Sequence, residues 1–130
     1  VVRLRIIILD MQSQLYAGAI RRVLAQDIGG DNIVIMKTPE ETPGICRVMQ
    51  PYALMMEVTG YSPWMLSERL NICDWVRRDA KGCKIVLVVD EKADKKLAEQ
   101  VKDAKKQGLI DAFLFTSATE SYLAAVMDSL

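Results

Sequence analysis

Residues 51–60 read PYALMMEVTG: a proline, five apolar residues from Tyr52 to Met56, and then the carboxylate of Glu57. A short run that is continuously apolar rather than alternating is the pattern of a strand buried on both faces. Four more runs of this kind occur along the chain: LRIIIL (Leu4 to Leu9), IVIM (Ile33 to Met36), IVLVV (Ile85 to Val89) and AFLF (Ala112 to Phe115). Amphipathic stretches separate them. This predicts an α/β fold of (βα)5 type, a doubly wound, five-stranded parallel sheet inside a three-layer sandwich.

The connecting stretches carry helical stripes. Leu15, Ala19 and Val23, with Tyr16, Ile20 and Leu24, repeat at i, i+4, i+8 and are closed by Gly29-Gly30. Thr38-Pro39-Glu40-Glu41 reads as a capping box, and Pro43-Gly44 then predicts a second helix that is short or starts late. Leu66, Leu70, Cys73 and Val76 form a third stripe, with Ser62 as its cap and Pro63 in its first turn. Leu97, Val101 and Ala104 form a fourth. Leu123, Val126, Met127 and Leu130 form the last, opened by Ser117-Ala118-Thr119-Glu120. Trp75, next to Val76, is expected in the core or half-buried, and burial is the default for Trp64. Met36, Met49, Met55 and Met56 read as core filler.

The chain has 130 residues, enough for one domain with a proper core, and 51% of it is apolar. No apolar stretch approaches the roughly 18 residues that cross a bilayer. The start VVRLRIIILD is too short and too charged for a signal peptide. Seventeen basic and seventeen acidic residues cancel, so no global charge points to nucleic acid or a membrane. Cys46, Cys73 and Cys83 lack metal spacing and fit reduced thiols in a cytoplasmic protein. Cys73 reads as inert, and Cys83, before the fourth strand, as the more exposed. With no histidine, Ser–His and Cys–His nucleophile pairs are excluded.

In a sheet of this kind, chemistry sits at the carboxyl ends of the strands. The residues there are Asp10, Lys37, Glu57, Asp90 and Thr116. Asp10, Glu57 and Asp90 are expected to converge as an acidic pocket, either a Mg²⁺ site or solvated loop carboxylates.

With these residues in place, the chain resembles, over essentially its whole length, the receiver domain of bacterial two-component response regulators, the CheY-like fold. That family ends its first strand in two acids; Ile8-Leu9-Asp10-Met11 has the first, and Met11 in place of the second. Pro51 leads the third strand as in the family, but the phosphoacceptor position holds Glu57 instead of Asp. The family's Ser or Thr after the fourth strand is Asp90, its switch aromatic matches Phe113, and its Lys-Pro pair falls on Thr116-Ser117. The resemblance implies a Mg²⁺ site at the second acid, the phosphoacceptor and the Thr59 carbonyl. Met11 should leave that site, at Asp10, Glu57 and Thr59, weak or absent. Asp90 would repel a phosphoryl oxygen, and Thr116 offers it only a neutral hydroxyl.

The chain is thus expected to be an atypical receiver, with Asp90, Phe113 and Thr116 at the switch-equivalent positions. Glu57 either mimics a phosphorylated aspartate or is a tolerated acid; the second is preferred, since Asp90 and Thr116 cannot give the usual response to charge. Residues 1–130 are read as one receiver-like domain from the N-terminal part of a longer regulator. By resemblance, the partners are an output domain in the same chain, most often DNA-binding, a sensor kinase, and a second copy. The fourth helix, fifth strand and fifth helix would form the dimer surface through Lys95, Lys102, Asp103, Lys106 and Tyr122. No direct nucleic-acid or membrane contact is expected.

The stretch Lys92 to Lys106 also contains Asp94, Glu99 and Asp103, and reads first as a solvated, salt-bridged face. Ser117-x-Thr119 reads as a helix cap rather than a phosphate loop. The alternatives are a residual Mg²⁺-dependent phosphoacceptor using Asp10, Glu57 or Asp90, and a nucleotide or flavin binder. The latter lacks any G-x-G-x-x-G or Walker-type loop. No strand end carries a nucleophile–base pair, so an enzyme is not expected.

Overall fold

Each of the five apolar runs forms a strand. In the computed structural model, which describes residues 5–130, the strands are β1 (Ile7–Asp10), β2 (Ile33–Met36), β3 (Ala53–Val58), β4 (Lys84–Val89) and β5 (Ala112–Phe115). All pair in parallel, in the order β2-β1-β3-β4-β5. The helices are α1 (Gln14–Ile28), α2 (Thr42–Met49), α3 (Leu66–Asp79), α4 (Lys95–Lys106) and α5 (Glu120–Asp128). Leu4, expected to open the first strand, lies outside the described residues. Asp10 and Glu57 are strand residues rather than the first residues beyond a strand, since β1 and β3 run one and two positions further than the apolar runs.

Period-two alternation sorts the strand side chains into two cores. Ile8, Leu54, Met56, Val58, Ile85, Leu87 and Val89 meet α2, α3 and α4 through Cys46, Cys73, Val76, Leu97 and Val101. Ile7, Leu9, Ala53, Met55, Val86, Val88 and Leu114 meet α1 and α5 through Ala17, Ile20, Leu24, Leu123 and Met127. Helices on both faces therefore explain why the strands are continuously apolar. Met36, Met55 and Met56 are core residues as expected, whereas Met49 is only half-buried.

Helix ends and faces depart from the sequence reading in specific places. Residues 39–41 form a 3-10 turn in which the Thr38 side chain caps nothing, and α2 begins at Thr42 with Pro43 in its first turn, where the missing N–H costs nothing. The third helix starts at Leu66, not at Ser62-Pro63. The Thr59 N–H donates to the Trp64 carbonyl at 2.9 Å, which closes residues 59–64 into a loop. Ser117 gives its hydroxyl to Glu91, so Thr119 caps α5, accepting the Tyr122 N–H at 3.1 Å. On α1 the buried positions are Ala17, Ile20 and Leu24, which turns Leu15 out to 90% exposure. Trp75 lies off the Arg69-Cys73-Val76 face of α3; it is 52% exposed, with the Arg78 guanidinium 4.4 Å from its ring centre. Trp64 is half-buried, edge-on to Tyr61.

All three cysteines are buried, Cys83 included. Burial, above all, pushes each thiol from its ordinary value up to about 12. A raised thiol pKa favours the protonated form in the folded state, so its contribution is whole below about pH 8.5 and is lost as pH rises toward 12. The native protein should therefore react negligibly with a thiol reagent at neutral pH, while the denatured chain reacts at all three positions. Its urea midpoint should fall more steeply between pH 8 and pH 10, as marked on a titration series, than that of a triple Cys→Ala variant.

Candidate functional site

Strand parity sends Asp10 and Glu57 to opposite faces of the sheet. Asp10 is in register with Met56, on the side of α2, α3 and α4. Glu57 is in register with Val88, on the side of α1 and α5. Among the described residues, no three acidic or cysteine side chains gather into a group able to hold a metal ion. Of the three acids expected to converge, Glu57 and Asp90 line one cleft, while Asp10 faces the other side of the sheet.

Asp10 is held by an internal cation. The Arg69 side chain, from α3, is fully buried and donates through Nη1 to Asp10 Oδ2 at 2.8 Å. Its Nη2 reaches the Asp10 carbonyl at 3.0 Å and its Nε the Glu57 carbonyl at 2.7 Å. The buried Thr42 hydroxyl of α2 donates to the same Oδ2 at 2.7 Å. One guanidinium thus joins the carboxyl ends of β1 and β3 to α3, with fork geometry suited to binding an acid and carbonyls together. Met11, at the position of the resembled family's second acid, is buried in the α1–α5 core.

Glu57 has a different environment. It is 8% exposed, and its Oε1 accepts the Ser13 N–H at 2.9 Å. Ser13 also caps α1, its hydroxyl accepting the Tyr16 N–H at 3.1 Å. Burial pushes the Tyr16 phenol above its ordinary value, and the charges of Glu57 and then Glu91 push it the same way. Asp90 lies past the end of β4, exposed, where Oδ1 accepts the Lys92 and Ala93 N–H groups, both at 3.1 Å. It shapes the turn into α4. Thr59 closes a turn of its own, donating its hydroxyl to the Tyr61 carbonyl at 2.9 Å. Gln12, Glu57, Thr59, Asp90 and Leu97 line a cleft of about 380 Å³.

The switch-equivalent positions are accommodated separately. Phe113 packs part-buried against the α2–α4 core, with its ring centre 5.6 Å from that of Phe115. The Thr116 N–H donates to the Val89 carbonyl at 3.1 Å. On the expected partner surface, Lys95, Asp103, Lys106 and Tyr122 are exposed. Lys102 pairs with Glu99 at 3.2 Å and sits 5.5 Å from the Phe115 ring centre. Lys37, after β2, is exposed.

Arg69, Thr42, Ser13 and Glu91 were not singled out by the sequence. Only Arg69 had a signal: Leu66, Arg69, Cys73 and Val76 follow i, i+3, i+7, i+10, which sets a charge inside an apolar stripe. Charged residues on such a face are almost never fully buried unless paired, and Asp10 is the partner.

No protein-family model and no curated protein sequence matches the chain. Solved structures do. A response regulator from Thermotoga maritima superposes with a TM-score of 0.72 at 16% identity, covering 97% of each chain. A CheY-like receiver domain from Methylobacillus flagellatus gives 0.70 at 14% identity, covering 98% of each. A DNA-binding response regulator of the LuxR family from Staphylococcus aureus gives 0.67 at 13% identity, covering 97% of this chain and 98% of that one. With strand order, crossovers and full-length superposition in agreement, the chain has the fold of the response-regulator receiver domain.

Proposed function

We propose that this chain is an atypical receiver domain that works without phosphorylation, as part of a longer regulator whose output domain it controls by dimerising or docking. The observation that carries the proposal is the buried Arg69–Asp10 pair. In a receiver, phosphoryl chemistry needs a loosely held divalent cation beside the acceptor. Here the first-strand acid is already neutralised by a cation that is part of the chain, and Met11 supplies no second acid. Glu57 and Asp90 each give one carboxylate oxygen to backbone N–H groups. A phosphoryl group would add negative charge beside them with no exchangeable cation to offset it.

The mixed charges of α4 and the exposed Tyr122 on α5 support the α4-β5-α5 face as the contact between copies. A sensor kinase has no role in this reading, and DNA contact belongs to the output domain. No helix of the described residues is long and apolar enough to cross a membrane.

Incubation with acetyl phosphate and Mg²⁺, read by intact-mass spectrometry, should give no phosphoryl adduct on wild type or on Glu57→Gln. A Mg²⁺-dependent adduct on wild type would instead establish a working phosphoacceptor. The ion pair makes a second, independent prediction. Arg69→Met should destabilise the fold by about 3–5 kcal/mol by leaving Asp10 buried and unpaired. Adding Asp10→Asn should restore much of that loss in urea denaturation, giving a non-additive double-mutant cycle.

A further inference from the structure

The two strand-end acids differ in one respect that bears on ligands. Asp10, 1% exposed, has its counter-ion inside the protein; Glu57, 8% exposed, pairs with no cation among the described residues. Only Glu57 Oε1 has a hydrogen-bond partner among the described residues, the Ser13 N–H, and no ion pair to Glu57 is formed among them. A buried carboxylate without a cation is costly.

A second carboxylate shares its field. Glu91 Oε1 accepts the Ser117 hydroxyl, while Glu91 Oε2 is buried with no hydrogen-bond partner among the described residues; Glu91 lies near the Glu57 cleft without lining it. Both charges are felt at Tyr16, whose phenol is raised by burial and then by Glu57 and Glu91.

The surroundings select the kind of cation. No set of three ligating side chains exists among the described residues to hold a compact divalent ion. An ammonium or guanidinium needs only oxygens within hydrogen-bond reach of its N–H groups. The Glu57 cleft also continues into a second one between α3 and α4, of about 520 Å³, sharing Thr59, Gly60, Asp94 and Leu97 with it. That extension adds an apolar side formed by Met65, Leu66 and Leu70, with Ser67, Lys96 and Gln100 completing its lining.

We propose that the Glu57 end of this cleft receives one organic cation, a primary ammonium or guanidinium carried on an apolar stem. The stem lies along the Leu66–Leu97 side, and the charge fills the place that Arg69 fills for Asp10. Resting on the reading of Glu57 as an unphosphorylated carboxylate, this gives the domain a chemical input that replaces phosphate. A free amine and a lysine or arginine side chain of a partner share this chemistry.

The test is amide-resolved NMR titration of the full chain at constant ionic strength. The probes are n-butylammonium, n-butylguanidinium and a short peptide with one arginine flanked by leucines, with tetramethylammonium and Mg²⁺ as controls. Saturable shifts at the Ser13 and Thr59 amides are expected from the N–H-bearing probes. Glu57→Gln should weaken them about tenfold or more, and Glu91→Gln by a smaller factor. Glu91→Gln also keeps the test decisive should Glu57→Gln fail to fold. Tighter binding of the peptide assigns the cation to a protein partner, and tighter binding of a free amine assigns it to a small ligand. Non-saturating shifts, equal shifts from tetramethylammonium, a response to Mg²⁺ alone, or unchanged affinity in both variants would overturn the proposal. A phosphoryl adduct on protein that still binds the cation would defeat the phosphate-free reading alone.

Discussion

A charge buried in a protein must be paired, and the Arg69–Asp10 pair is where this chain meets that requirement. The guanidinium is fully buried, yet three of its N–H groups meet oxygens of β1 and β3. Thr42 brings α2 to the same carboxylate. Two helices and two adjacent strands, β1 and the central β3, therefore converge on one ion pair at the end of the sheet where α/β domains carry their chemistry. The pair's value need not be net stability, since burial of both ions offsets much of the attraction. Its consequence is geometric: the ends of β1 and β3 and the beginning of α2 cannot shift independently.

A guanidinium and a divalent metal ion both neutralise carboxylates, but they constrain a site differently. The metal exchanges, accepts further oxygen ligands and can bridge an acid to an incoming phosphoryl group. Arg69 is tethered through α3, and the three oxygens it reaches all belong to the protein. It thus performs the electrostatic task of a cation without its coordination chemistry. On the reading proposed above, that distinction separates a receiver fold from receiver chemistry, and a fold alone does not carry the chemistry with it.

The sheet was legible in the sequence because a strand buried on both faces has to be continuously apolar, and all five runs became strands. Helix starts were less legible. Ser62, Thr38 and Ser117 are good cap residues, but each was displaced: the first two by local turns, the Thr59–Trp64 loop closure and a 3-10 turn before Pro43, and the third by the non-local Ser117–Glu91 contact. The site was misread for a simpler reason. Asp10 and Glu57 were counted as neighbours because both end strands, whereas alternation within β1 and β3 already assigns them to opposite faces. Arg69 was hidden because charge suggests exposure, and only its place in the Leu66-Cys73-Val76 stripe argues otherwise.

The opposite facing of the two acids divides the end of the sheet into two halves with different roles. On the α2–α4 side, Asp10, Arg69 and Thr42 form a closed, charge-balanced unit. On the α1–α5 side, Glu57 sits against the start of α1, and Glu91 joins the loop after β4 to the loop after β5 through Ser117. The second half is thus in contact with the start of α1 and with the loop that leads into α5, while the first is locked to the sheet. A change of charge at Glu57 would act on contacts made by one or two hydrogen bonds. The same change at Asp10 would have to break a buried pair. If the domain has a movable side, the distribution of its hydrogen bonds puts it around Glu57.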